Sequence, residues 1–146
     1  MKVAPTRHSR LNMNITRANA AATKRGPAEY FTGTVWLDEV TTAPYASDVR
    51  VVRVTFEPGA RTAWHTHPHG QMLQILSGIG RVQKTGGEVV EVRPGDVIWF
   101  DSGERHWHGA APDRVMVHLA VQRANDAGRT ALWQEHVADA DYNPSK

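Results

Sequence analysis

The chain has 146 residues, 40% hydrophobic and 22% charged, which fits one globular domain and excludes a disordered chain or a fibre. It contains no cysteine, so disulfides, thiolate nucleophiles and sulfur-ligated centres are excluded and any metal must be held by nitrogen and oxygen. The formal charge of +2 is uneven: residues 1–25 carry six of the 17 basic groups and no acid, leaving 11 basic against 15 acidic groups, a net −4, over the rest.

In chain order, residues 1–12 read as a basic flexible leader and residues 13–146 as a single domain, with Met13 a second potential start. The leader lacks the interleaved aromatics of a nucleic-acid arm and the apolar stretch of ~7–15 residues that a signal peptide needs. No run approaches the ~20 apolar residues that span a bilayer. These features predict a cytoplasmic protein with no nucleic-acid or membrane partner.

Turn signals then punctuate the chain: "RGP" at 25–27, "TTAP" at 41–44, "EPGA" at 57–60, "HPHG" at 67–70, "SGIG" at 77–80, "KTGGE" at 84–88, "RPGD" at 93–96, "DSGE" at 101–104 and "APDR" at 111–114. Between them lie short segments rich in β-branched and aromatic residues, such as "VRVVRVTF", "EVVEV", "DVIWF" and "RVMVHLAVQ". This spacing predicts an all-β antiparallel sandwich or barrel. The paired glycines of "KTGGE" predict a hairpin. At most a short helix is expected, within the C-terminal "ALWQEHVADADYN", since no earlier stretch keeps a 3.6-residue period.

Six of the eight histidines fall within residues 65–118. Side chains alternate along a strand, so His65 and His67 share a face and can converge on one ion, as can His106 and His108 in "HWHG". Two such pairs in a cysteine-free domain point to a metal site. His69, between Pro68 and Gly70, reads as an exposed turn residue. On the strand "MVHLAVQ", His118 and Gln122 share one face, while Val115, Val117, Leu119 and Val121 form the more apolar one. Periodicity would send His118 and Gln122 to solvent and a pocket would draw them in, so both readings stand. Trp64 and Trp107 alternate with the histidines and face away from them. With the Val115–Val121 row they predict an apolar surface covered by a second copy, in a homodimer or homotetramer. Val52, Val54 and Phe56 share a strand face and read as the apolar end of a substrate pocket, with Thr62 near its mouth.

The stretch from Gly59 through His65-Thr66-His67, "PHG", Gln71 and "MLQILS" to Gly78 resembles the first cupin motif, with glutamine where glutamate is usual. Gly95, "DVIWF", Asp101-Ser102-Gly103 and His106 resemble the second motif, with Asp101 replacing its usual proline and Ala110 its usual asparagine. More narrowly, "PAEYFTGTVWLD", "VTFEPGARTAWHTHP", "GERHWHGAAP" and "HLAVQ" are similar to the small bacterial cupins with hydroxynitrile lyase activity.

The resemblance implies a conical β-barrel holding one divalent metal on His65, His67, Gln71 and His106. Manganese comes first, with iron, nickel and zinc as alternatives of suitable ligand type. It also implies that His108 and His118 stand beside the metal as candidate bases, with Gln122 orienting one of them or the substrate. A histidine titrating near its ordinary ~6.5 suits that task. The expected activity is cleavage or formation of aromatic cyanohydrins such as mandelonitrile. A cupin-type metal-dependent dioxygenase and a non-catalytic metabolite-binding cupin are the alternatives.

Overall fold

The computed structural model describes residues 13–41 and 48–145; the predicted leader and most of the "TTAP" turn lie outside them. The elements in chain order are β1 (Lys24–Arg25), β2 (Phe31–Thr32), β3 (Val35–Glu39), β4 (Val49–Phe56), β5 (Arg61–Thr62), β6 (His65–Thr66) and β7 (Gln71–Gly78). They continue with β8 (Gly80–Lys84), β9 (Val90–Val92), β10 (Val97–Phe100), β11 (His106–Ala110), β12 (Met116–Arg123), β13 (Leu132–Trp133) and α1 (Asp139–Tyr142). Two curled antiparallel sheets result. Sheet A has the order β1-β3-β4-β12-β7-β10, and sheet B the order β13-β6-β11-β5-β2, with β8 on β11 and β9 on β8.

Glycine placement explains two of the tight joints. Gly70 has φ +76 and its Cα faces the carbonyl oxygen of Phe100 and the Trp99 ring so closely that a Cβ would meet them at 2.6 and 2.7 Å. It thereby swings the chain from His67 into β7. At "KTGGE", Gly86 takes φ +78 and the Gly87 amide bonds the Lys84 carbonyl at 3.0 Å, closing the predicted hairpin between β8 and β9.

Between the sheets lies one core, from Val35, Val54 and Phe56 of sheet A to Val82 and Ala110 of sheet B. A second cluster of Trp64, Trp107, Val137 and Tyr142 lies on the outer face of sheet B. It corrects the expectation for the two tryptophans: Trp64 is 8% and Trp107 0% exposed, because the C-terminal segment folds back over them. That segment carries the short C-terminal helix the sequence allowed. Residues 132–133 extend as β13 and only Asp139–Tyr142 coil, because Arg61 draws the Val137 carbonyl and the Asp139 carboxylate to its guanidinium, each at 2.7 Å.

The inner face of β12 carries Met116, His118, Ala120 and Gln122, whereas Val117, Leu119 and Val121 are half-buried on the outer face. The apolar row therefore faces away from the barrel interior. Hydrophobic patterning is overridden because the inner face is shared between core and cavity, with Met116 and Ala120 in the core and His118 and Gln122 lining the cavity.

Candidate metal centre and catalytic pocket

The site is assembled from both sheets. His65 on β6 pairs in register with His106 on β11, Gln71 opens β7, and His118 sits on β12 opposite Val54. His67 follows β6 directly, while His108 lies two residues after His106 on β11 and therefore on the same face. His65, His67, His106, His108, His118 and Gln71 are all at most 4% exposed, whereas His69 is exposed as expected.

Backbone carbonyls fix the tautomers of three imidazoles. His65 Nδ1 lies 2.8 Å from the Ala63 carbonyl, His67 Nδ1 2.7 Å from that of Thr130, and His106 Nδ1 2.8 Å from that of Glu104. A carbonyl only accepts, so each Nδ1 donates and each Nε2 is left a bare lone pair. Burial is the main cause that lowers all three pKa values, that of His106 to about 3, so the rings are neutral at pH 7.

Gln71 is wired with equal directness. The Gln122 amide donates to the Arg50 carbonyl at 3.3 Å, which leaves Gln122 Oε1 to accept from Gln71 Nε2 at 3.1 Å. Gln71 Oε1 then faces His106 Nε2 at 3.2 Å. Two neutral acceptors confront one another with no hydrogen to share, and His67 Nε2 is buried without a partner nearby. That donor set, three lone-pair nitrogens and an amide oxygen, fits a divalent cation. Gln122 thus touches Gln71, and neither of the two candidate bases.

One nitrogen of each of His65, His106 and His108 lies within 4.8 Å of the others, so His108 stands at the same centre. Its Nδ1 is differently occupied, lying 2.9 Å from His118 Nε2 rather than on a carbonyl. Its Nε2 is buried without a protein partner. Burial, followed by the neighbouring histidines, holds His108 well below the ordinary histidine value, and burial lowers His118 to about 3. Neither group keeps the value near 6.5 that the sequence suggested, because both are walled off from water.

His65, His67, Gln71, His108, His118 and Gln122 line one end of a cavity of about 300 Å³ that is otherwise mainly apolar, with His106 set behind them. Val52 and Val54 line it as expected. Phe56 does not: it is fully buried behind the histidines, its ring centroid 5.3 Å from His118 and 6.0 Å from His108. Thr62 lines the cavity deep inside rather than at the mouth, 1% exposed, its Oγ1 accepting from the His108 amide at 3.2 Å. The remaining wall comes from residues the sequence reading missed, chiefly Tyr30, Phe31, Leu37 and Trp133. Trp133 lies in the one segment where a short helix was allowed, and nothing local in it shows the pairing with His65.

The cupin domain family model matches residues 52–122. A protein named (R)-mandelonitrile lyase from Granulicella tundricola is 53% identical over 130 residues, covering 89% of this chain and 98% of that one. A cupin-like protein from Thermotoga maritima superposes with a TM-score of 0.76 at 34% identity, covering 89% of this chain and 95% of that one. The polyketide cyclase RemF from Streptomyces resistomycificus, at 18% identity, shares the fold with a TM-score of 0.65 over 88% of this chain and 89% of that one.

Proposed function

The chain belongs to the cupin family, and on that premise we propose that it is a metal-dependent lyase that cleaves and forms aromatic cyanohydrins, mandelonitrile to benzaldehyde and hydrogen cyanide being the model reaction. The observation that carries the reading is His108, which lines the cavity with His65, His67 and Gln71 and whose Nε2 is buried and unpartnered. The relative named (R)-mandelonitrile lyase supports the choice of reaction.

His65, His67, Gln71 and His106 would hold the metal, manganese by preference. When bound, it supplies Lewis-acid charge that favours anionic oxygen or cyanide beside it. The cyanohydrin's hydroxyl proton passes to His108 Nε2. The oxygen's freed pair closes to a carbonyl, and the bond to the nitrile carbon breaks with its pair on cyanide. Cyanide takes the proton from His108 and leaves as hydrogen cyanide, so the enzyme is restored. In this role His108 Nδ1 would donate to His118 Nε2, 2.9 Å away, keeping His108 in the tautomer whose Nε2 carries the lone pair that takes the proton. Because burial disfavours the imidazolium, the proton is returned readily.

The test is benzaldehyde release from mandelonitrile by chelator-treated protein reloaded with manganese, iron, nickel or zinc, beside oxygen-electrode traces on catechols and diketones. Metal-restored benzaldehyde release without oxygen uptake is expected. Oxygen uptake without cyanohydrin cleavage would replace the lyase by a dioxygenase, and neither activity would leave a binding protein.

A further inference from the structure

The walls of the cavity differ in character. Sheet A supplies a low aliphatic wall of Leu37, Val52, Val54 and Ala120, while the opposite side carries Tyr30 and Trp133. Trp133 is the register partner of His65 across β13 and β6. The Trp64 amide on the Glu135 carbonyl and the Gln134 amide on the Trp64 carbonyl, at 2.9 and 2.8 Å, hold that register. Cross-strand partners share a face, so the indole lies on the His65 ring with centroids 4.5 Å apart. The Tyr30 ring lies on the indole in turn, 4.7 Å away and within 17° of parallel.

Stacked in turn on His65, these two rings form a column running outward from the polar end of the cavity, their facing surfaces covered by one another. Both are only half-buried and both line the cavity, so part of their aromatic surface is open to an occupant. Phe56, by contrast, is fully buried and lends the cavity no surface. An aromatic column on one side and aliphatic groups on the other offer a planar ring edge-to-face contact as well as apolar burial, whereas a branched alkyl group gains only the burial.

We propose that Tyr30 and Trp133 are the specificity-determining residues of this cavity, holding the aryl group of the substrate by aromatic contact with the column they form. The assignment rests on the cyanohydrin lyase reading for its substrates, but its binding arm does not. Leucine at either position removes the aromatic partner while keeping apolar bulk.

The experiment compares KM and kcat for mandelonitrile and acetone cyanohydrin in wild type, Trp133→Leu, Trp133→Phe and Tyr30→Leu, with metal content measured in each. The leucine variants should raise KM for mandelonitrile by about three- to tenfold, the scale of one lost aromatic pair. The KM for acetone cyanohydrin should move by less than about twofold, and Trp133→Phe should restore most of the preference. Equal changes for both substrates, or none, would overturn the assignment. Should Trp133→Leu lose metal because its indole lies on His65, Tyr30→Leu, which leaves that contact intact, decides alone.

Calorimetric binding of benzyl alcohol and 2-methylpropan-1-ol separates this proposal from the lyase reading. A wild type that cleaves no cyanohydrin yet prefers benzyl alcohol, with the preference lost in both leucine variants, sinks the lyase and keeps the aryl wall. A working lyase with no such preference does the reverse.

Discussion

At the scale of single residues, what an imidazole can do here is decided by what its other nitrogen touches. His65, His67 and His106 each rest Nδ1 on a carbonyl, and His108 rests Nδ1 on His118. His67→Ala should therefore lose the metal and the activity together. His108→Ala should keep the metal and lose turnover by about 10²–10⁴-fold, the range of a lost general base. Metal analysis beside kinetics checks the pair, and metal loss in His108→Ala would make it a ligand. Gln71→Glu should tighten metal binding and lower turnover, since a carboxylate cancels charge that the neutral amide leaves available; a parallel rise in both would refute this. The pH dependence follows from burial. His118 titrates at about 3 and His108 well below its ordinary value, so the neutral base persists and activity should not show an acid limb near pH 6–7. In the metal-free protein, unfolded chains take up protons on these histidines below ~6.5 while folded ones do not. Stability is thus complete above ~6.5 and falls as pH drops toward about 3, which urea midpoints measured across that window will show.

At the scale of elements, the sequence was most legible where turn chemistry and histidine spacing act locally. The β8–β9 hairpin follows from "KTGGE", and the shared face of His106 and His108 follows from strand alternation. The β12 strand resisted, because its apolar row lies outside the barrel and its histidine inside; a pattern rule assumes that every inward residue is greasy, and here His118 and Gln122 share the inner face with Met116 and Ala120. The tail resisted for another reason. Nothing local in "ALWQEHVADADYN" says that Trp133 will pair with His65 or that Tyr142 will reach the far side of sheet B. Those placements depend on distant partners: Arg61 lies under the Tyr142 ring at 4.3 Å, and the Tyr142 hydroxyl donates to the Ala110 carbonyl at 2.6 Å. Ala110 ends the strand that carries His106 and His108, so the tail bears on the site from behind. Tyr142→Phe should cost about 1–3 kcal/mol by leaving that buried carbonyl short of a donor, and lower the melting midpoint by several degrees. An unchanged midpoint would show that the tail is held by its other contacts alone.

At the scale of the whole molecule, the two sheets are treated unequally. The outer face of sheet B is covered by the chain's own C-terminal segment through Trp64, Trp107, Val137 and Tyr142. On sheet A the strand register instead lines up Val51, Val121, Met72 and Trp99 in one outward row and Arg53, Leu119, Gln74 and Val97 in the next. Trp99 is 58% and Val97 59% exposed, and Trp36 on β3 adds a further exposed ring. The charges nearby, Asp38 and Arg53, already pair with each other at 3.5 Å, so they put little unpaired charge in the way of a partner. A second copy presenting the same face would cover the apolar rows on both chains at once, as a two-fold interface requires. Light scattering at micromolar concentration should therefore give the mass of a dimer or tetramer. Leu119→Glu, whose side chain points away from the cavity, should release monomers that keep their metal and their circular dichroism, because the charge is introduced outside the barrel. A wild-type monomer would refute the assembly, and a Leu119→Glu protein of unchanged mass would move the interface off sheet A.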